Sequence, residues 1–181
     1  ANAAKSDRPV GWDLLDNDLA IIDTTTLGVT YTKHLMNICM SLAVNPVSGE
    51  LTVIGTDATN EVRFEPVVKG KFLRVKAARV SADGVTTLGN VDLNPHLTYA
   101  TSTIPQVDRD KSIGDPRGIA WNAAGTRAFV AGMGSNNVVV MNASGGRAGI
   151  ADTIPVGEGP TGVVVDDAHG RVYVLEKFAA R

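Results

Sequence analysis

The sequence holds one cysteine, Cys39, among 181 residues. No intrachain disulfide can form, and neither a CxxC pair nor a CxxCH haem-attachment motif is present. Cys39 lies between Ile38 and Met40, the setting of a small buried hydrophobe, and leaves the redox compartment open. Excess charge of one sign is also missing: 17 Lys and Arg face 19 Asp and Glu, a formal net charge of -2. That balance argues against a broad nucleic-acid footprint. No apolar run reaches the about 18 residues that a membrane-spanning helix requires. Residues 1–13 lack the apolar centre of a signal peptide, although a leader already removed would leave no trace. The three histidines, His34, His96 and His169, form no HxxxH or HxH pair. Neither GxSxG nor a strand–GxGxxG–helix context occurs.

What is present is an ordinary globular composition, 44% hydrophobic and 20% charged, with 19 glycines and 8 prolines. A chain of this length can bury roughly 70% of the surface its unfolded form exposes, enough for a sizeable core. Residues 1–17 are polar and read as irregular. Short β-branched runs bounded by turn formers then predict strands at 18–23 and 27–33.

Residues 41–64 contain a strand, an Asn45-Pro-Val-Ser-Gly49 turn, a second strand at 51–54, a turn at 57–60 and an outgoing strand at 61–64. Residues 114–142 repeat this order, and 157–178 repeat its first half. Asn45, Asn122 and Asp166 align at one turn position, and Gly49, Gly125 and Gly170 at another. An Asn or Asp side chain can bond its own turn backbone, and glycine supplies φ > 0. Pro116 and Pro160, 44 residues apart, each precede an inner strand. Four strands per period of about 40–45 residues is the signature of a β-propeller blade. The fold expected is all-β: four-stranded antiparallel blades in an incomplete arc of a ring. Blade-like repeats fall at about 18–34, 41–80, 114–156 and 159–181. Residues 81–113 read as an insertion or degenerate blade.

In Asp115-Pro-Arg-Gly-Ile-Ala120, Arg127-Ala-Phe-Val-Ala131, Ser135-Asn-Asn-Val-Val-Val-Met141, Ile154-Pro-Val-Gly157 with Gly159-Pro-Thr-Gly162, and Arg171-Val-Tyr-Val-Leu175, the chain resembles the YVTN-type family of β-propeller repeats. The resemblance covers about half the chain well, 41–64 loosely and 65–111 poorly. It implies a bacterial exported protein, periplasmic or secreted, and a c-type cytochrome domain as a potential partner. Propellers close with about four to eight blades. The strand count therefore predicts a piece of a longer chain, or a subunit whose ring other chains complete.

Candidate sites are few. Asp108, Asp110 and Ser112 place oxygen ligands at alternate positions, as calcium loops do, although the glycine comes one place late and no glutamate closes the loop. His96, close to Tyr99, is the best single candidate for a functional histidine. Asp115, Arg117, Asn136 and Glu158 are the polar loop residues that could converge near a propeller axis. Lys69, Lys71, Arg74, Lys76 and Arg79 form a basic ribbon that could meet an acidic partner or discourage edge pairing on an exposed strand. The function expected is a non-enzymatic binding scaffold. The alternative is a propeller enzyme, a hydrolase, lactonase or oxidoreductase, with a central-channel site that missing blades complete.

Overall fold

The computed structural model describes residues 16–58, 73–99 and 103–179. The expected outgoing strand at 61–64, Lys69 and Lys71 of the basic ribbon, and nearly all of the irregular start lie outside these.

Among the described residues, twelve strands and one helical turn follow in order. β1 (Leu19–Ile22) and β2 (Val29–Thr32) form a two-stranded sheet. β3 (Ile38–Val44), β4 (Leu51–Ala58), β5 (Leu73–Val80) and β6 (Thr87–Asp92) form a four-stranded meander. After the helical turn α1 (Gln106–Arg109) come β7 (Pro116–Trp121), β8 (Arg127–Gly132), β9 (Asn137–Asn142) and β10 (Thr153–Pro155), a second four-stranded meander. β11 (Pro160–Asp166) and β12 (Arg171–Glu176) make a final pair. Every pairing is antiparallel. The all-β reading holds, and among the described residues the sheets do not close into a ring.

The stretches expected to be equivalent, 42–44, 119–121 and 163–165, lie on β3, β7 and β11, each the first strand of its sheet. Each of these strands also carries a register shift, at Cys39/Ser41, Pro116/Gly118 and Pro160/Gly162. The aligned turns behave alike. Asn45 Oδ1 accepts the N–H groups of Val47 and Ser48 at 3.0 and 3.2 Å. Asn122 Oδ1 accepts those of Thr126 and Arg127, both at 2.9 Å. Asp166 Oδ1 accepts that of His169 at 3.1 Å. Gly49, Gly125 and Gly170 follow with φ of +73°, +63° and +62°, which a Cβ would disfavour.

Strand alternation sends successive side chains to opposite faces, and the first meander buries both. Val53 of β4 and Ala78 of β5 oppose each other and face Leu19 of the β1–β2 pair. The next pair, Ile54 and Ala77, faces the second meander, where Ile119, Ala128, Val130, Val139 and Met141 complete a second core. Burying each large aliphatic chain contributes about 1.5–3 kcal/mol, so the layers between sheets hold the arc together. Side-chain links reinforce them. Asn45 Nδ2 donates to the Gly125 carbonyl at 2.9 Å, and Asp167 Oδ2 accepts the Ala123 N–H at 2.6 Å. These ties join the far turns of neighbouring sheets, so β3, β7 and β11 all begin at the opposite end.

The described cations of the basic ribbon, Arg74, Lys76 and Arg79, lie on an inner strand and face carboxylates of their own sheet. β5 lies between β4 and β6, and its cations meet carboxylates on those strands or just before them. Arg79 binds Glu50 through Nη2 at 2.6 Å and Nε at 3.1 Å, Lys76 binds Asp57 at 2.5 Å, and Arg74 lies 3.8 Å from Asp92.

Candidate functional site

The end where the inner strands begin carries two groups of polar residues. The first surrounds a cavity of about 360 Å³ beside the start of β3, lined by Asp16, His34, Leu35, Met36, Asn37, Asp57 and Asn90. The chain leaves β2, crosses this end and turns sharply at His34, whose φ is +61°. The crossing is held by Asp18 Oδ2, which accepts the Leu35 N–H at 2.7 Å, and by Asn90 Nδ2, which donates to the Leu35 carbonyl at 2.7 Å. Asn37 Oδ1 accepts the Ala58 N–H at 2.6 Å. The exposed imidazole of His34 sits with Nδ1 against the Asp16 carboxylate. A carboxylate beside Nδ1 is the arrangement that orients an imidazole in acid–base catalysis. Sequence reasoning missed this pair: Asp16 and His34 are 18 residues apart and meet only because β1 and β2 form a hairpin.

The second group is formed by the loops that open β7 and β11. Asp115 (φ +48°) binds Arg117 at 2.9 Å, and its carbonyl accepts the Met133 N–H at 2.9 Å. Asn136 (φ +51°) accepts the Gly159 N–H on its side chain and the Val156 N–H on its carbonyl, both at 3.0 Å. The Glu158 carbonyl accepts the Phe178 N–H at 3.1 Å. Asp115 and Asn136 thus help hold three loops against one another. Buried asparagines add to this: Asn94 exchanges two hydrogen bonds with the Ile113 backbone at 2.8 and 2.9 Å, and Asn137 Nδ2 donates to the Ser112 carbonyl at 2.9 Å.

His96 packs against the segment that carries the calcium candidates. His96 Nε2 donates to the Asp108 carbonyl at 2.9 Å, and Ser112 Oγ donates to the same oxygen at 3.1 Å. The Asp110 carboxylate accepts from Gln106 Nε2. Nδ1 of His96 is buried without a partner, so no carboxylate orients this ring. Among the described residues, no group of three or more His, Cys, Asp or Glu side chains is placed to hold a metal ion. Arg147 pins the same segment, donating to the Lys111 carbonyl at 2.7 Å and to Thr153 Oγ1 at 2.7 Å. Burial holds its pKa below the ordinary arginine value. Tyr99 stacks under Arg74 at 4.4 Å, and burial together with Asp92 raises its phenol well above the ordinary value.

No protein-family model and no curated protein match this chain. Among solved structures, hydrazine synthase of Kuenenia stuttgartiensis is similar, with a TM-score of 0.56 at 14% identity. The match covers 88% of this chain and 51% of that one, so the chain spans about half the length of its structural neighbour. At that identity the likeness shows the fold alone. Together with the antiparallel sheets, it fits a β-propeller-like fold, with no closed ring among the described residues. Among the described residues, no helix is long and apolar enough to cross a membrane.

Proposed function

We propose that the chain is part of an exported propeller of the YVTN type, periplasmic or secreted, that works as a non-enzymatic binding scaffold. Its binding face is the end where β7 and β11 begin. The observation that carries this reading is the mutual locking of the loops around Asp115, Asn136 and Glu158, because a surface fixed before binding loses little ordering entropy on contact. The remaining sheets of the ring come from the same longer chain or from another subunit. The repeat resemblance supports a c-type cytochrome as the partner. Titration calorimetry with a purified monohaem c-type cytochrome at low ionic strength tests it. Micromolar binding that Arg117→Ala and Glu158→Ala each weaken about tenfold is expected. No binding at 100 µM protein would overturn the partner assignment.

A second reading rests on Asp16 and His34 beside the polar cavity: a propeller hydrolase or lactonase in which His34 Nε2 draws a proton from water. Its test is turnover of a panel of aryl esters and lactones. Activity lost in His34→Ala and reduced in Asp16→Asn would favour this reading over the scaffold.

A further inference from the structure

We propose that the polar cavity beside the start of β3 binds a small neutral polyhydroxylated molecule, the size of one sugar ring or cyclitol. The inference goes beyond the scaffold reading, whose binding face is formed by other loops. It shares the cavity of the hydrolase reading and requires no turnover.

The polar side chains of the cavity come from segments far apart in the chain. Asp16 precedes β1, His34 and Asn37 lie between β2 and β3, Asp57 is on β4 and Asn90 on β6. In four of them one polar atom is held and another is left without a partner among the described residues. Asn37 Oδ1 accepts the Ala58 N–H at 2.6 Å, which leaves Nδ2. Asn90 Nδ2 donates to the Leu35 carbonyl at 2.7 Å, which leaves Oδ1. Asp57 Oδ2 accepts from Lys76 Nζ at 2.5 Å, which leaves its other oxygen. His34 Nδ1 is turned to Asp16, which leaves Nε2 across the ring. A ligand would therefore meet side chains that are already oriented, and its binding would order few rotors. The backbone is set too. His34 holds a φ of +61°, and non-glycine residues kept in such conformations cluster at ligand clamps.

The chemistry of this array selects the ligand. Leu35 and Met36 are the apolar lining residues, and both are buried among the core side chains below, so they offer little apolar wall. An apolar ligand would strand the polar atoms without hydrogen bonds. An anion would face the Asp16 and Asp57 carboxylates. A cation would find Asp57 already paired with Lys76 and Asp16 already engaged with His34. What remains is a mixed set: two acceptor oxygens, on Asn90 and Asp57, and a donor, Asn37 Nδ2, with His34 Nε2 beside them. A hydroxyl both donates and accepts, so neighbouring hydroxyls on one ring can satisfy both kinds at once. The volume of about 360 Å³ lies at the low end of the about 300–1,000 Å³ found for small-molecule sites.

Heteronuclear NMR of the purified chain tests the proposal, because the side-chain amides of Asn37 and Asn90 report on the site directly. The probes are myo-inositol, D-glucose and D-galactose, with cyclohexanol, spermidine and inorganic phosphate as comparisons. At least one polyol is expected to shift both amides saturably, with a dissociation constant in the millimolar range, and to be recovered unchanged. An analogue lacking one contacting hydroxyl should bind about two- to tenfold more weakly. Asn37→Asp keeps the acceptor for Ala58 and exchanges the donor for a second oxygen, and should weaken binding at least tenfold with circular dichroism unchanged. His34→Asn is a second variant, since the side chain is 82% exposed and asparagine tolerates positive φ; about two- to tenfold weaker binding is expected. Shifts that stay linear to about 100 mM for every polyol would overturn the proposal. So would binding of cyclohexanol, spermidine or phosphate as tight as that of the polyols, or binding indifferent to both substitutions. Cytochrome binding and ester turnover are read in separate assays, so their failure leaves this site standing.

Discussion

Replacing Gly118 by alanine isolates the packing of one inner strand against the next. A Cβ built on Gly118 of β7 meets the Thr161 carbonyl oxygen at 3.0 Å, the Gly162 Cα at 3.2 Å and the Val163 nitrogen at 3.2 Å. All three are backbone atoms of β11, so no side chain can rotate away. One sheet must retreat by a few tenths of an ångström, which loosens the packing of β7 on β11. Overpacking of this kind costs about 1–3 kcal/mol. For a domain of this size that lowers Tm by about 2–4 °C per kcal/mol. Gly89 of β6 is the control, because a Cβ there meets nothing within 4 Å. Gly89→Ala should leave stability unchanged or raise it by up to about 1 kcal/mol, through the unfolded chain. Urea unfolding followed by circular dichroism measures both. Equal midpoints for Gly118→Ala and Gly89→Ala would refute the claim that β7 and β11 are pressed together at this point.

Other perturbations give distinct outcomes. Asn45→Ala removes the acceptor of two turn N–H groups and the tie to Gly125, and should cost about 1–3 kcal/mol in the same assay; a loss under about 0.5 kcal/mol would mean that the tie is idle. Burial, with Asp18 nearby, raises the Cys39 thiol from 9.0 to about 11. Native protein at pH 8 should therefore react with iodoacetamide about two orders of magnitude more slowly than urea-unfolded protein. Because the folded value is the higher one, stability is fully present below pH 9 and declines as pH rises from 9 towards 11; native and unfolded alkylation at equal rates would contradict the burial. Arg147→Met removes the guanidinium donor to the Lys111 carbonyl and to Thr153 Oγ1, leaving that carbonyl only the longer bond from the Thr153 hydroxyl at 3.2 Å. Hydrogen exchange should then quicken in 105–113 while β8 stays protected, and uniform protection would refute the pinning role.

The architecture could be read before any coordinates because repeated turns are local. Asn45-to-Gly49 and Asn122-to-Gly125 close on their own backbone, so a few residues specify them. Long-range pairing was harder to read. Lys76 and Asp57 are 19 residues apart, and nothing in a basic stretch reveals that the neighbouring strands carry its counter-charges. The Asp16–His34 pair was hidden for the same reason, since it depends on a hairpin bringing both termini of the β1–β2 pair together. The roles of Asp115 and Asn136 were masked by their chemistry: polar loop residues suggest ligands, whereas here their oxygens accept backbone N–H groups that would otherwise lack partners. Alternating oxygens at 108–112 gave a similar signal, and there the Asp108 carbonyl, not its carboxylate, takes the donors.

The ties from Asn45 to Gly125 and from Asp167 to Ala123 give the molecule a seam along one rim. Lengthening a turn on that rim would tear a stitch shared with the next sheet. Changes in length that the fold tolerates should therefore fall away from these turns.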